Sequence, residues 1–121
     1  MKIYQQKGNN TLLILNHRTS SKVFIKSVIL IEGQANYTKF YMEGGRERLV
    51  ARSIKFFENH LENHGFLRVH RAFMINPNYV KTYNSEQEIL TMTNGQIANI
   101  SRRRKRILKS IFLKNILNGQ N

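Results

Sequence analysis

The sequence predicts a mainly β domain of many short strands with two helices, and three observations carry that expectation. Runs of three to six residues rich in β-branched, aromatic and other apolar side chains recur along the chain, among them TLLILN at 11–16, YTKFYM at 37–42 and ILTMT at 89–93. Permissive turn signals separate them, Gly44-Gly45 and Asn94-Gly95 being the plainest. Apolar residues at helical spacing follow a capping serine at only two places, after Ser53 and after Ser101.

In chain order, residues 1–9 carry no clear period and read as an N-terminal extension or a short edge strand, ahead of one domain over 10–121. Thr11–Asn16 and Val23–Ile25 form strands around the turn His17–Lys22. Ser27–Glu32 is a further strand with Val28, Leu30 and neighbouring isoleucines as buried candidates, and 33–36 interrupts it with polar and permissive residues. Tyr37–Met42 and Leu49–Ala51 flank the Gly44-Gly45 hairpin. Ser53 caps a helix whose Ile54, Phe57 and Leu61 face inward, and Gly65 suits its left-handed end. Pro77 ends the strand before it. Tyr79–Tyr83, Ile89–Thr93 and Gln96–Ile100 are the last strands. Ser101 then caps a helix with Ile107, Leu108, Ile111 and Phe112 as its apolar stripe, and Leu117 as a continuation.

The stretch FLRVHRAFMIN at 66–76 is the focus of the chain. Leu67, Val69, Phe73 and Ile75 share one apolar phase, and Arg71 falls on it and breaks it. An arginine cannot sit unpaired in a core, so the chain turns outward or kinks at His70–Arg71. Two strands presenting a His-Arg pair are the simplest reading. The alternative is a bulge whose arginine pairs with a buried carboxylate, which seven acidic residues against twenty lysines and arginines make scarce.

The net charge of +13 points to a polyanionic partner, most often nucleic acid. Seven basic residues and no acidic one lie between Ser101 and Asn121. The last helix opens on Arg102-Arg103-Arg104-Lys105-Arg106, where the helix end already carries about half a positive charge. A bound phosphate would resolve that conflict; a tolerated solvated face is the bland reading. A membrane-surface helix also stays open on charge alone.

Other classes fare worse. Without cysteine there is no disulfide, thiol nucleophile or Cys-based zinc site. His60 and His64 stand four apart without a matching third ligand, so no metal is expected. There is no aspartate, no nucleophile–base pair and no phosphate-cradling glycine loop, so neither catalytic residues nor a cofactor is expected. No apolar run approaches the roughly 20 residues that span a bilayer, and MKIYQQKGNN lacks a signal-peptide core. A soluble cytoplasmic protein follows as the expectation.

The ordered motifs IEGQANYTKFYMEGG, a Ser-initiated helix, GFLRVHRAFMIN, NG and ISRRRKRIL together resemble the LytTR DNA-binding domain of bacterial response regulators, over about residues 10–113. The resemblance implies an elongated fold of about ten short strands, with loops and strand ends rather than a recognition helix entering the major groove. It implies contacts from Asn36, Tyr37, Thr38 and Lys39, from His70 and Arg71, and from Ser101 and Arg102. Ala72 stands where the family usually has serine, and Gly44-Gly45 where it usually has Asp-Gly. Such domains usually follow a receiver domain of roughly a hundred residues. This chain is therefore expected to be a fragment or a stand-alone regulator.

The expected function is sequence-specific recognition of double-stranded DNA, at promoter repeats, by a transcriptional regulator. Arg71 and Arg102 are the candidate guanine readers; Lys39, Arg103 and Lys105 are the candidate phosphate contacts. A separate receiver or regulatory protein and a homodimer on DNA are open partners, and no membrane partner is expected. The alternative is an RNA-binding or ribosome-associated β-protein presenting Tyr37, Phe40 and Tyr41 for stacking.

Overall fold

The computed structural model describes residues 3–5, 11–16 and 21–108. Eleven strands lie among them: β1 (Ile3–Gln5), β2 (Thr11–Asn16), β3 (Ser21–Phe24), β4 (Val28–Gln34), β5 (Tyr37–Met42), β6 (Glu47–Val50), β7 (Leu67–His70), β8 (Phe73–Ile75), β9 (Val80–Asn84), β10 (Ile89–Met92) and β11 (Ile97–Asn99). Two helices join them, α1 (Ile54–Glu62) and α2 (Arg102–Leu108). The strands form three antiparallel sheets of order β1-β2-β3, β6-β5-β4-β8-β7 and β11-β10-β9.

The five-stranded sheet is buried on both faces. On one face Val28, Ile31, Phe40, Met42 and Met74 pack with Leu13 and Val23 of the first sheet and with Ile54, Phe57 and Leu61 of α1. On the other, Ile29, Leu30, Tyr41, Val69 and Ile75 pack with Leu90, Met92, Ala98 and Leu108. Burial on both sides explains why β4 begins with four consecutive apolar residues instead of an alternation. A register shift between Val28 and Leu30 turns the adjacent Ile29 and Leu30 into the same core. Phe40 and Phe57 meet edge-to-face at 5.0 Å between ring centres, which locks α1 onto the sheet.

Several sequence expectations shift by one or two residues. The first strand pair ends at Phe24, because Ile25–Ser27 forms a 3-10 turn in which Ser27 Oγ donates to the Phe24 carbonyl at 2.8 Å. The 33–36 stretch does not interrupt β4 as expected. Gly33 and Gln34 pair with Thr38 and Tyr37, and only Ala35-Asn36 turn. The hairpin after Gly44-Gly45 closes on Glu47–Val50, with φ of 76° and 73° at the two glycines. Ser53 occupies the N-cap position of α1, yet its hydroxyl makes no cap bond. The other end of α1 is as expected: Phe66 N–H donates to Leu61 O and Gly65 N–H to Glu62 O, a Schellman closure around Gly65 at φ 88°. In α2, Leu108 is buried while Ile107 is exposed, so the stripe is narrower than expected over these residues. Ile111, Phe112 and Leu117 lie outside the described residues.

Asn76 ends β8 as a buried polar pin. Its side chain donates to the Val28 carbonyl at 3.0 Å and accepts from Asn78 N–H at 3.1 Å. Gly33 serves a different purpose. A Cβ there would stand 3.0 Å from Ile54 Cγ2 and 3.1 Å from Ile54 Cβ, so glycine lets β4 and the start of α1 approach. Gly33→Ala is expected to cost about 1–3 kcal/mol by overpacking that contact. Chemical denaturation with an unchanged m-value checks it, and a variant as stable as the parent would show that Ile54 yields freely.

Candidate nucleic-acid interface

Three segments meet at one end of the five-stranded sheet. β4 and β5 turn there through Ala35-Asn36, and β7 and β8 turn there through Arg71-Ala72. Backbone bonds tie the segments together: Gly33 N–H donates to the Ala72 carbonyl at 2.8 Å, and Ser101 N–H donates to the Val69 carbonyl at 2.9 Å. The second bond places the start of α2 beside β7. Ser101 also caps α2 with its hydroxyl, which accepts from Arg104 N–H at 3.1 Å.

The His70–Arg71 hairpin is tighter than two strands and an outward kink. His70 pairs with Phe73 across a register shift at Arg68/His70, so a bulge and a presented pair occur together. Arg71 is exposed. The arginine paired with a shielded carboxylate is Arg68, whose Nη1 donates to Glu58 Oε1 at 2.8 Å. Arg68 also donates from Nε to the His70 carbonyl at 2.8 Å and from Nη2 to the Arg71 carbonyl. Burial, ahead of the opposing pull of Glu58, lowers the pKa of Arg68, which stays a cation. The Glu58 partner leaves no local mark in sequence, because it arrives from α1.

His70 contributes chemistry as well as shape. Its Nδ1 accepts from Ala72 N–H at 3.0 Å, which makes the ring neutral with its proton on Nε2. Burial, then the charges of Arg71 and Arg68, hold its pKa below the ordinary histidine value. The ring lies 5.8 Å from that of Phe73.

The remaining expected contact residues divide sharply. Asn36, Tyr37, Arg102 and Arg103 are exposed, and no described acidic residue pairs with either arginine. Thr38 is a correction: it is fully buried and donates its hydroxyl to the Arg52 carbonyl at 2.7 Å, so it holds the fold. Lys39 and Lys105 are partly exposed but already paired, with Glu47 at 3.0 Å and Glu88 at 2.9 Å. These hydrogen-bonded carboxylates raise both lysine pKa values. Ala35 carries φ 53° in the Asn36 turn, a strained conformation for a residue with a Cβ. Gly33 was detectable as a glycine inside a strand pattern; Arg68 and Glu58 were not singled out by period or spacing.

Among the described residues there is no group of three or more side chains able to hold a metal, and no helix long and apolar enough to cross a membrane. His64 Nδ1 lies 2.8 Å from the His60 carbonyl.

Exposed arginines and polar side chains on clustered turns, behind which a β-sheet is covered on both faces, define a basic β-domain. The sequence profile of the LytTr DNA-binding domain matches residues 18–113, and the chain belongs to that family of DNA-binding regulators. The fold is also similar to a solved chain from Bacillus cereus, the LytTr DNA-binding domain of a methyl-accepting/DNA response regulator. That match has a TM-score of 0.68 and 23% identity, and covers 85% of this chain and 96% of that one. A search of curated proteins found no match.

The depressed His70 pKa has a measurable sign. The folded protein binds this proton less readily than the unfolded chain, so the stabilisation is complete above about pH 6.5 and fades as pH falls below it. His70→Asn keeps an acceptor for Ala72 N–H without titrating. Between about pH 7.5 and about pH 5.5, the parent should lose more melting temperature than His70→Asn. Equal losses would show that the ring is not held neutral.

Proposed function

We propose that the protein is a sequence-specific transcriptional regulator that reads double-stranded DNA in the major groove with turns and a helix start, in the bacterial cytoplasm. The observation that carries this is the convergence of exposed Arg71 and Arg102 on backbone supports shared by β4, β7, β8 and α2. Arginine pairs bidentately with the O6 and N7 acceptors of guanine, and it discriminates only when its backbone is rigidly placed. Arg71 and Arg102 are assigned that role. Arg103, at the cationic start of α2, is assigned to phosphate. Asn36, Tyr37 and Ser101 contribute contacts from the flanking segments, and His70 offers its Nε2–H to a base or phosphate acceptor.

Lys39 and Lys105 join only if phosphate displaces Glu47 and Glu88, so their contribution is smaller than that of Arg103. The work is binding, with no catalytic step. RNA recognition by stacking is the weaker reading, since Phe40 and Tyr41 are buried and Tyr37 alone of the three aromatics is exposed. Dimerisation on promoter repeats and control by a separate regulatory protein fit this reading. On DNA carrying two repeats, a dimer would favour spacing by whole helical turns, about 10–10.5 base pairs each.

Two measurements test the assignment. Log affinity should fall with log salt at a slope of about −4 to −8, as for five to nine neutralised phosphates; a slope near zero on a selected duplex excludes electrostatic binding. Arg71→Ala should cost roughly 1–3 kcal/mol on the selected duplex and much less on random duplex. Arg103→Ala should weaken both alike and reduce the salt slope by about one. Binding curves on both duplexes check this, with a thermal melt as folding control. Equal weakening of both by Arg71→Ala would remove it from the base readers.

A further inference from the structure

The turn that presents Arg71 is held from behind by side chains outside the contact set. One guanidinium, that of Arg68, reaches three acceptors at once: the carbonyls of His70 and Arg71 and the carboxylate of Glu58. A guanidinium is a rigid planar fork, so fixing it by Glu58 fixes the two carbonyls relative to α1. The other carboxylate oxygen of Glu58 lies 3.8 Å from Arg104 Nη2, on the first turn of α2. The Arg68 and Glu58 side chains are only 10% and 19% exposed, which shields the pair from solvent screening better than the two lysine pairs. A single carboxylate from a helix that carries none of the assigned contacts therefore touches the supports of both guanine-reading arginines.

Charge alone argues against a glutamate here. It cancels part of the cationic field that draws DNA and is one of only seven acids in the chain. Its shielded position between two arginines calls for a different use.

We infer that Glu58 and Arg68 are positioning residues for specificity: the α1 carboxylate sets the fork of Arg68, which holds the His70–Arg71 turn in its reading conformation. Arg104, against the same carboxylate, keeps the start of α2 in register with that turn. The inference rests on the base-reading role proposed for Arg71. It predicts a split that electrostatics alone does not. Removing the Glu58 charge should favour every DNA through the gained positive charge, whereas loss of the clamp should weaken the selected duplex only.

The experiment compares the parent, Glu58→Gln, Arg68→Lys and Arg71→Ala on a selected and a random duplex at fixed salt. NMR signals of the Ala72 amide and the His70 ring are followed in the free proteins. Glu58→Gln should bind random duplex at least as tightly as the parent, while its selected-to-random ratio falls by about fivefold or more, the low end for one lost bidentate contact. Arg68→Lys keeps the charge and loses the fork, so its ratio should fall likewise, and both variants should move the Ala72 and His70 signals. If Glu58→Gln unfolds, Arg68→Lys carries the same comparison. A preserved ratio with unmoved turn signals would overturn the inference and leave Glu58 as a surface charge. An unchanged ratio in Arg71→Ala would overturn the base-reading role itself, and the specificity role of the clamp with it, while the NMR signals would still show whether the turn is held.

Discussion

Burial of the five-stranded sheet on both faces is the constraint from which the rest of the molecule follows. Val28 and Ile31 feed one core and Ile29 and Leu30 the other, so β4 has no face left for solvent or ligand. A β-sheet in that position cannot lie against a duplex. What it can offer is its end, where β4–β5 and β7–β8 turn side by side. The two-sided core also supplies rigidity. Turns fastened to strands packed on both sides have few ways to move, which suits the base-reading role proposed for Arg71 and Arg102.

Distribution of the scarce acids is the second organising feature. With twenty lysines and arginines against seven glutamates, cations outnumber acids almost three to one. Glu47, Glu58 and Glu88 nevertheless engage Lys39, Arg68 with Arg104, and Lys105. The acids thus sort the cations. Some are drawn back into the scaffold, and Arg71, Arg102 and Arg103 stand forward. Net charge draws a polyanion at long range, whereas this sorting supports the contact roles proposed for Arg71, Arg102 and Arg103.

Backbone hydrogen bonds complete the arrangement at little cost in side-chain entropy. Gly33 to Ala72 and Ser101 to Val69 join three segments separated by dozens of residues in sequence. Glycine at 33 eases this approach, because an added Cβ would stand 3.0 Å from Ile54 Cγ2. Ala72, the position where a serine is usual in the family, uses its main chain twice, donating to His70 Nδ1 and accepting from Gly33. Those bonds need no side-chain hydroxyl.

By itself the sequence determined the strand-rich class, the two helices, the Gly44-Gly45, Gly65 and Asn94-Gly95 turns, and the outward placement of Arg71, because each of these depends on local backbone preference or on a short-range apolar period. Its resemblance to a known family named the region proposed to contact DNA. Tertiary structure decided what those local signals leave open. Thr38 lies in a segment of plausible contacts, yet the β-strand phase turns it into the core, where it bonds to Arg52. Lys39 and Lys105 read as free cations until Glu47 and Glu88 arrive from other strands and turns. The arginine that pairs with a carboxylate proved to be Arg68 and not Arg71, because strand alternation sets Arg68 opposite Met74 on the face that α1 covers, whereas Arg71 stands in the exposed turn. Each of these outcomes depends on a partner distant in sequence, and a chain read along its length carries no record of who that partner is.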